Sequence, residues 1–199
     1  MTNHNQMITL SNAMTLTYTQ NPGQLGLSMQ IHIGTQLSDA QRHACTLHMA
    51  QNYVVEAYFK TRAHDLGITL ETVSSPYLTT YEINEGLDEA AFIGVLKQLE
   101  ALFTFIDYNT LRDVKARVLD SFKQAQKDNN NQFGAVFLDD AFAIGARHIN
   151  FMQQAIQKLT LQNIQDFISE TYVPAQIHIE VSGPKELGTF GSRVQYFKI

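Results

Sequence analysis

The chain has no tryptophan, four prolines and a single cysteine, Cys45. One cysteine excludes an internal disulfide framework and suits a reducing compartment, so a cytoplasmic location is expected. Positive charge is also scarce: 14 Lys and Arg against 19 Asp and Glu leave a formal net charge of -5. That balance argues against nucleic acid or an anionic membrane as a partner. Polar residues interrupt every apolar stretch, so no segment reads as transmembrane. The opening "MTNHNQMITL" lacks both the basic and the apolar regions of a secretory signal, so none is expected. The chain carries no P-loop, no G-x-G-x-x-G, no G-x-S-x-G and no paired-cysteine zinc motif. What remains is 199 residues of ordinary composition, 44% hydrophobic and 17% charged, enough for one core. Residues 1–199 are therefore read as a single domain.

Hydrophobic periodicity orders the elements. "MITLSNAMTLTYTQ" alternates through Leu16 and Tyr18 and reads as one strand. After the "NPGQ" turn, Leu27, Met29, Ile31 and Ile33 fall on one face of a second strand, with Ser28, Gln30 and His32 on the other. The two strands are expected to pair as a hairpin. A long helix follows, with Ser38 or Asp39 as its N-cap and Gly67 as its stop. "ITLETVSS" and "YLTTYEINEG" read as two strands rich in threonine and β-branched residues, separated by a turn at Pro76. "LDEAAFIGVLKQLEALFTF" and "DYNTLRDVKARVLDSFKQAQKDNN" are amphipathic helices. "KDNNNQ" is a polar loop, "FGAVFLDDAFAIGARHINFMQQAIQ" one or two short helices, and "TLQNIQDFISETYV" a helix capped by Thr160. "AQIHIEVSG" closes the chain's regular structure as an alternating strand. The expected class is α+β, a mostly antiparallel four- to five-stranded sheet with helices packed on one face.

This order and several of its residues resemble one half-unit of the M16 metallopeptidase family (insulinase, pitrilysin, mitochondrial processing peptidase). "LSNAMTLTYTQNPGQLGLSMQIHIGTQ" is similar to the family's opening "L-x-N-G-L" strand and the strand after it, through Asn12 and Gly34, with Ala13 where glycine is usual. "GITLETVSSPYLTTYEI" resembles the later strand pair through Gly67, Ser74 or Ser75, Thr80 and Tyr81. "LTLQNIQDFISETYVPAQIHIEVSGP" resembles the unit's closing helix, Y-x-P step and strand.

In active members the first helix carries H-x-x-E-H. Residues four apart on a helix differ by about 40° in azimuth, so both histidines can face one zinc ion. The glutamate between them then serves the metal-bound water as general base. The register implied by the resemblance places Ala44, Leu47 and His48 at these three positions, so one ligand and the base are missing. The resemblance also implies a third ligand, a downstream glutamate on the third helix, where Asp120 is the nearest carboxylate. His43 lies five residues before His48, about 140° around a helix, so the two do not share a ligand face. His64, near the far end of that helix, does not repair this. Cys45 is expected to pack as a small hydrophobe. "AYFKTRAHDLG" also resembles a segment of the C-terminal half-unit in which an arginine binds substrate, which makes Arg62 a candidate contact.

The resemblance implies a catalytically silent subunit that binds peptide or unfolded polypeptide and pairs with another M16-like subunit, one with an intact H-x-x-E-H or a second copy of itself. Family members capture substrate by strand addition at a sheet edge, and Leu70, Glu71, Thr72, Val73 and Ser74 occupy the matching stretch. No metal or other cofactor is expected. Two other readings stay open. One is an active zinc metallopeptidase with a rearranged ligand set drawn from His48 with His43, His64 or Asp120. The other is a non-enzymatic binding or scaffold protein.

Overall fold

Strand alternation in the first twenty residues is interrupted by a tight turn. The computed structural model describes residues 5–10, 13–34, 45–74, 78–104, 107–127 and 146–184. The single first strand expected from the sequence is two, β1 (Asn5–Thr9) and β2 (Thr15–Gln20), paired antiparallel. The Leu10 N–H donates to the Met14 carbonyl at 2.8 Å, and the Ala13 N–H donates to the Leu10 carbonyl at 3.0 Å. Ala13 sits at φ 70°, a left-handed conformation that costs a residue with a Cβ about 1–2 kcal/mol.

After the turn at Asn21–Gln24 the chain enters β3 (Leu27–Gly34). The expected hairpin between β2 and β3 does not form. The closing strand, β6 (Ile177–Gly183), lies between them, parallel to β2 and antiparallel to β3. The other two strands are β4 (Glu71–Ser74) and β5 (Leu78–Leu87), and the order across the sheet is β1-β2-β6-β3-β5-β4. The sheet is thus mixed and six-stranded, not the four or five strands expected, with β2·β6 its parallel pair. The inserted strand is explained by side-chain rows. Leu16, Ile179, Ile31 and Tyr81 are register partners across four strands, as are Tyr18, Val181, Met29 and Ile83, and all eight are buried. An alternating β6 placed between β2 and β3 makes each row continuous.

Among the described residues five helices share one core with this face: α1 (Cys45–His64), α2 (Glu89–Thr104), α3 (Tyr108–Lys127), α4 (Ala146–Lys158) and α5 (Leu161–Thr171). The N-cap expected at Ser38 or Asp39, the Pro76 turn, the "KDNNNQ" loop and the first part of the fourth helical stretch fall outside the described residues. α1 ends as its sequence requires. Gly67, at φ 73°, donates its N–H to the His64 carbonyl while Ile68 donates to Ala63, a Schellman stop. Thr160 caps α5 through a reciprocal box with Asn163. Ala50, Val54, Val55, Tyr58, Phe59 and Ala63 of α1 are buried, and this helix packs against each of the other four. Among the described residues no helix is long and apolar enough to cross a membrane.

The opposite face of the sheet is polar. Thr15, His178, His32 and Thr80 form one cross-strand row, and Thr17, Glu180, Gln30 and Glu82 the next. Gln30 donates to Glu82 at 2.7 Å, and the Ser28 and Ser182 hydroxyls meet at 2.7 Å.

Candidate functional site

The positions matched to the zinc motif lie at the start of α1. Ala44 and His43 are outside the described residues. Leu47 is 44% exposed and carries no carboxylate. His48 is half-buried, its ring edge-on to Phe167 of α5 with centroids 5.0 Å apart. Burial holds its imidazole below the ordinary histidine pKa. Asp120 is exposed on α3 and pairs with Lys123 at 2.9 Å. His64 is exposed at the other end of α1. Among the described residues no group of three His, Cys, Asp or Glu side chains is arranged to hold a metal ion. Leu47, the ring-packed His48 and the ion-paired Asp120 do not fit the zinc centre of active M16 peptidases.

The second set of sequence candidates is brought together in part. Glu71 to Ser74 form β4, which pairs only with β5 and therefore leaves its other edge without a strand among the described residues. Side chains alternate along it. Val73, 59% exposed, sits beside Thr80 on the polar face, whereas Thr72 pairs with Tyr81 toward the core. The Thr72 hydroxyl is buried without a hydrogen-bond partner. Leu70, just before the strand, is buried in the core. Arg62 is not part of this edge: its guanidinium donates to Gln98 at 3.0 Å and to Asp65 at 3.5 Å.

Beneath β4 lies a polar cluster that the sequence reading missed. Asn52 and Glu56, four apart on α1, are both buried, and Asn52 donates to the Glu56 carboxyl at 2.7 Å. The Ser74 hydroxyl, at the end of β4, also donates to Glu56. Asn52 reaches Ser74 at 3.2 Å and Thr79 of β5 at 3.1 Å. Burial pushes the Glu56 carboxyl up to about 7, against the opposing pull of the Ser74 hydrogen bond and the Lys60 charge. Lys60, one turn on, is itself lowered by burial, while Glu56 and Glu71 favour its charged form. The signal was present in "NYVVEAYF": Asn and Glu at helical spacing inside an otherwise apolar stretch require partners when buried.

Two other features are separate from this edge. His32 and His178 stack on the polar face with ring centroids 6.1 Å apart, their Nε2 atoms 3.9 and 3.5 Å from one Glu180 oxygen. A groove of about 740 Å³ runs between α3 and the α4–α5 junction, lined by Leu111, Arg112, Lys115 and Leu161 among others. It contains none of the sequence candidates.

No protein-family model matches the chain, and no curated protein does. Solved structures do. An M16-like peptidase from Alicyclobacillus acidocaldarius superposes with a TM-score of 0.64 at 10% identity, over 98% of this chain and 49% of that one. The ferredoxin protease FusC, solved as a mutant in complex with Arabidopsis ferredoxin, gives 0.65 at 15% identity, over 98% of this chain and 24% of that one. A peptidase M16 inactive domain from Pseudomonas fluorescens gives 0.57 at 10% identity, over 96% of this chain and 49% of that one. The chain therefore has an M16-like fold, and it spans about half the length of the first and third of these structures and about a quarter of FusC.

Proposed function

We propose that this chain is a catalytically silent M16-like half-unit that holds extended polypeptide on the open edge of β4 and pairs with a second M16-like unit to form a chamber. The observation that carries the reading is the β4 edge itself. Among the described residues one side of β4 is unpaired, and such a side offers backbone donors and acceptors to an incoming strand in a mode of capture that needs no catalytic side chain. Silence is supported by Leu47 where a general base is required and by His48 packed on Phe167. Pairing is proposed by comparison with an M16-like peptidase and an inactive M16 domain, each of which this chain matches over about half of its length. FusC in complex with ferredoxin is an example of this fold meeting a protein substrate. The partner is a subunit with an intact H-x-x-E-H or a second copy of this chain. A cytoplasmic, reducing setting suits the single cysteine.

The decisive experiment is purification from the native cell with metal analysis. A co-purifying chain that carries H-x-x-E-H, with no zinc bound by this chain alone, is the expected result. Stoichiometric zinc on the isolated chain that disappears in His48→Ala would overturn it and favour an active peptidase with a rearranged ligand set.

A further inference from the structure

The edge strand is short, and its attachment is unusual. β4 contributes four residues and four register pairs with β5. Beyond those pairs, its ties to the helix layer include Leu70 in the core before its first residue, the attraction of Glu71 to Lys60, and Ser74 bonded to Glu56 and Asn52 at its last residue. Strand addition needs this edge held straight, because an incoming chain pairs with the backbone in register.

We propose that Glu56 is the positioning residue for this edge: its carboxyl, lying beneath β4, fixes the end of the strand through Ser74, and ionising it loosens the strand, so that polypeptide capture is stronger in mild acid than in mild base. The inference rests on the reading of β4 as the capture edge.

The surroundings of the carboxyl give the sign. From α1, Lys60 and Tyr53 bear on it. From β4 come Glu71, through their shared partner Lys60, and the Ser74 hydroxyl. From β5 come Tyr81 and Thr79, and beyond α5 comes Tyr172. The cation that acts on Glu56 is Lys60, which Glu71 also attracts. Both forms of the acid accept the Ser74 and Asn52 hydrogen bonds, the carboxylate more strongly, but only the neutral acid asks for no counter-charge. An ionised one is a buried charge 3% exposed, competing with Glu71 for one lysine, and the route to solvating it is for β4 to lift and admit water. Burial outweighs the Ser74 hydrogen bond in setting where it titrates, which puts the change near neutrality.

Hydrogen–deuterium exchange on the full chain reads the strand without any ligand. After correction for intrinsic rates, protection of the Glu71–Ser74 amides relative to those of β3 is expected to fall about tenfold from about pH 5.5 to about pH 8.5, the equivalent of a one-unit pKa difference between held and loosened edge. In Glu56→Gln, which keeps a neutral, hydrogen-bonding group, it is expected to stay flat. In Ser74→Ala, which removes the tie, protection is expected to be low throughout, and this variant serves if Glu56→Gln fails to fold. Binding of fluorescently labelled β-casein, an unfolded-polypeptide probe, is expected to weaken by a similar factor in the wild-type chain and not in Glu56→Gln. Protection of β4 that ignores pH in the wild type, or that responds equally in Glu56→Gln, overturns the role of Glu56 even if casein binds. Casein that fails to bind at any pH while β4 protection follows Glu56 overturns the capture edge instead.

Discussion

Ser74 and Glu56 lie 18 residues apart in the chain, and the serine hydroxyl donates to the buried carboxyl. This contact joins the outermost strand of the sheet to its central helix. It makes a carboxyl that titrates near neutrality part of the fold.

Stability is expected to fall with pH because of Glu56. Its folded-state pKa is raised from 4.5 to about 7 by burial. A raised carboxyl pKa means that the native state holds its proton longer than the unfolded state. The stabilisation this gives is fully present below about pH 4.5 and is lost as pH rises through about 7. For a shift of this size, urea unfolding of the wild type should lose about 2–3 kcal/mol between pH 5 and pH 8 from this group. Glu56→Gln lacks the titration and should lose less by that amount. Equal pH slopes for the two proteins would contradict the burial argument.

Ala13→Gly is expected to stabilise the chain. The residue adopts φ 70°, where glycine carries no Cβ penalty. Relief of about 1–2 kcal/mol of left-handed strain, less about 0.4–1 kcal/mol of added freedom in the unfolded chain, leaves a gain of about 0.5–1 kcal/mol. Chemical denaturation read by circular dichroism checks it, and a loss of stability would show that the turn prefers alanine for another reason.

These positions also show what could be read from the chain and what could not. Alternation in "LSMQIHIG" and "IHIEVSG" identified both strands and their buried faces, because a period of two leaves few other solutions. Gly67 and Thr160 marked helix ends correctly, since their chemistry is local. Strand order was not legible. The β2–β3 hairpin was the economical choice from adjacency, yet β6, more than 140 residues later, takes the place between them. The Glu56 cluster was missed for the same reason: its meaning depends on Ser74 and Thr79 arriving from other elements. The zinc-motif positions were assigned through a family register, and the described ones, Leu47 and His48, lie on α1, while Arg62 lies on the same helix apart from β4.

Tyr81 and Tyr172 should be energetically coupled. Their hydroxyls meet at 2.8 Å in the core, and both are fully buried. Tyr172→Phe deprives the Tyr81 hydroxyl of this partner, and leaving a buried hydroxyl unpaired costs about 1–3 kcal/mol. Changing both to phenylalanine removes both polar groups, so the double variant should be more stable than the sum of the singles predicts, with a coupling of about 1 kcal/mol. Additive losses in the cycle would mean that each hydroxyl has an equally good alternative.

Val73→Lys separates the role of the edge from the stability of the fold. Val73 is 59% exposed on the polar face, so a lysine there should change stability by less than about 0.5 kcal/mol. The same charge on an edge strand opposes the approach of a further strand, which is how natural sheets blunt their edges. Since Glu71 and Glu82 lie on the neighbouring row, the lysine also finds acidic company that keeps it on this face. Weaker binding of an unfolded polypeptide, by about tenfold and with unfolding midpoints unchanged, is the expected outcome in a fluorescence titration run beside a denaturation curve. Undiminished binding with the fold intact would move the capture site away from β4, to the helical side of the molecule or to a surface shared with a partner.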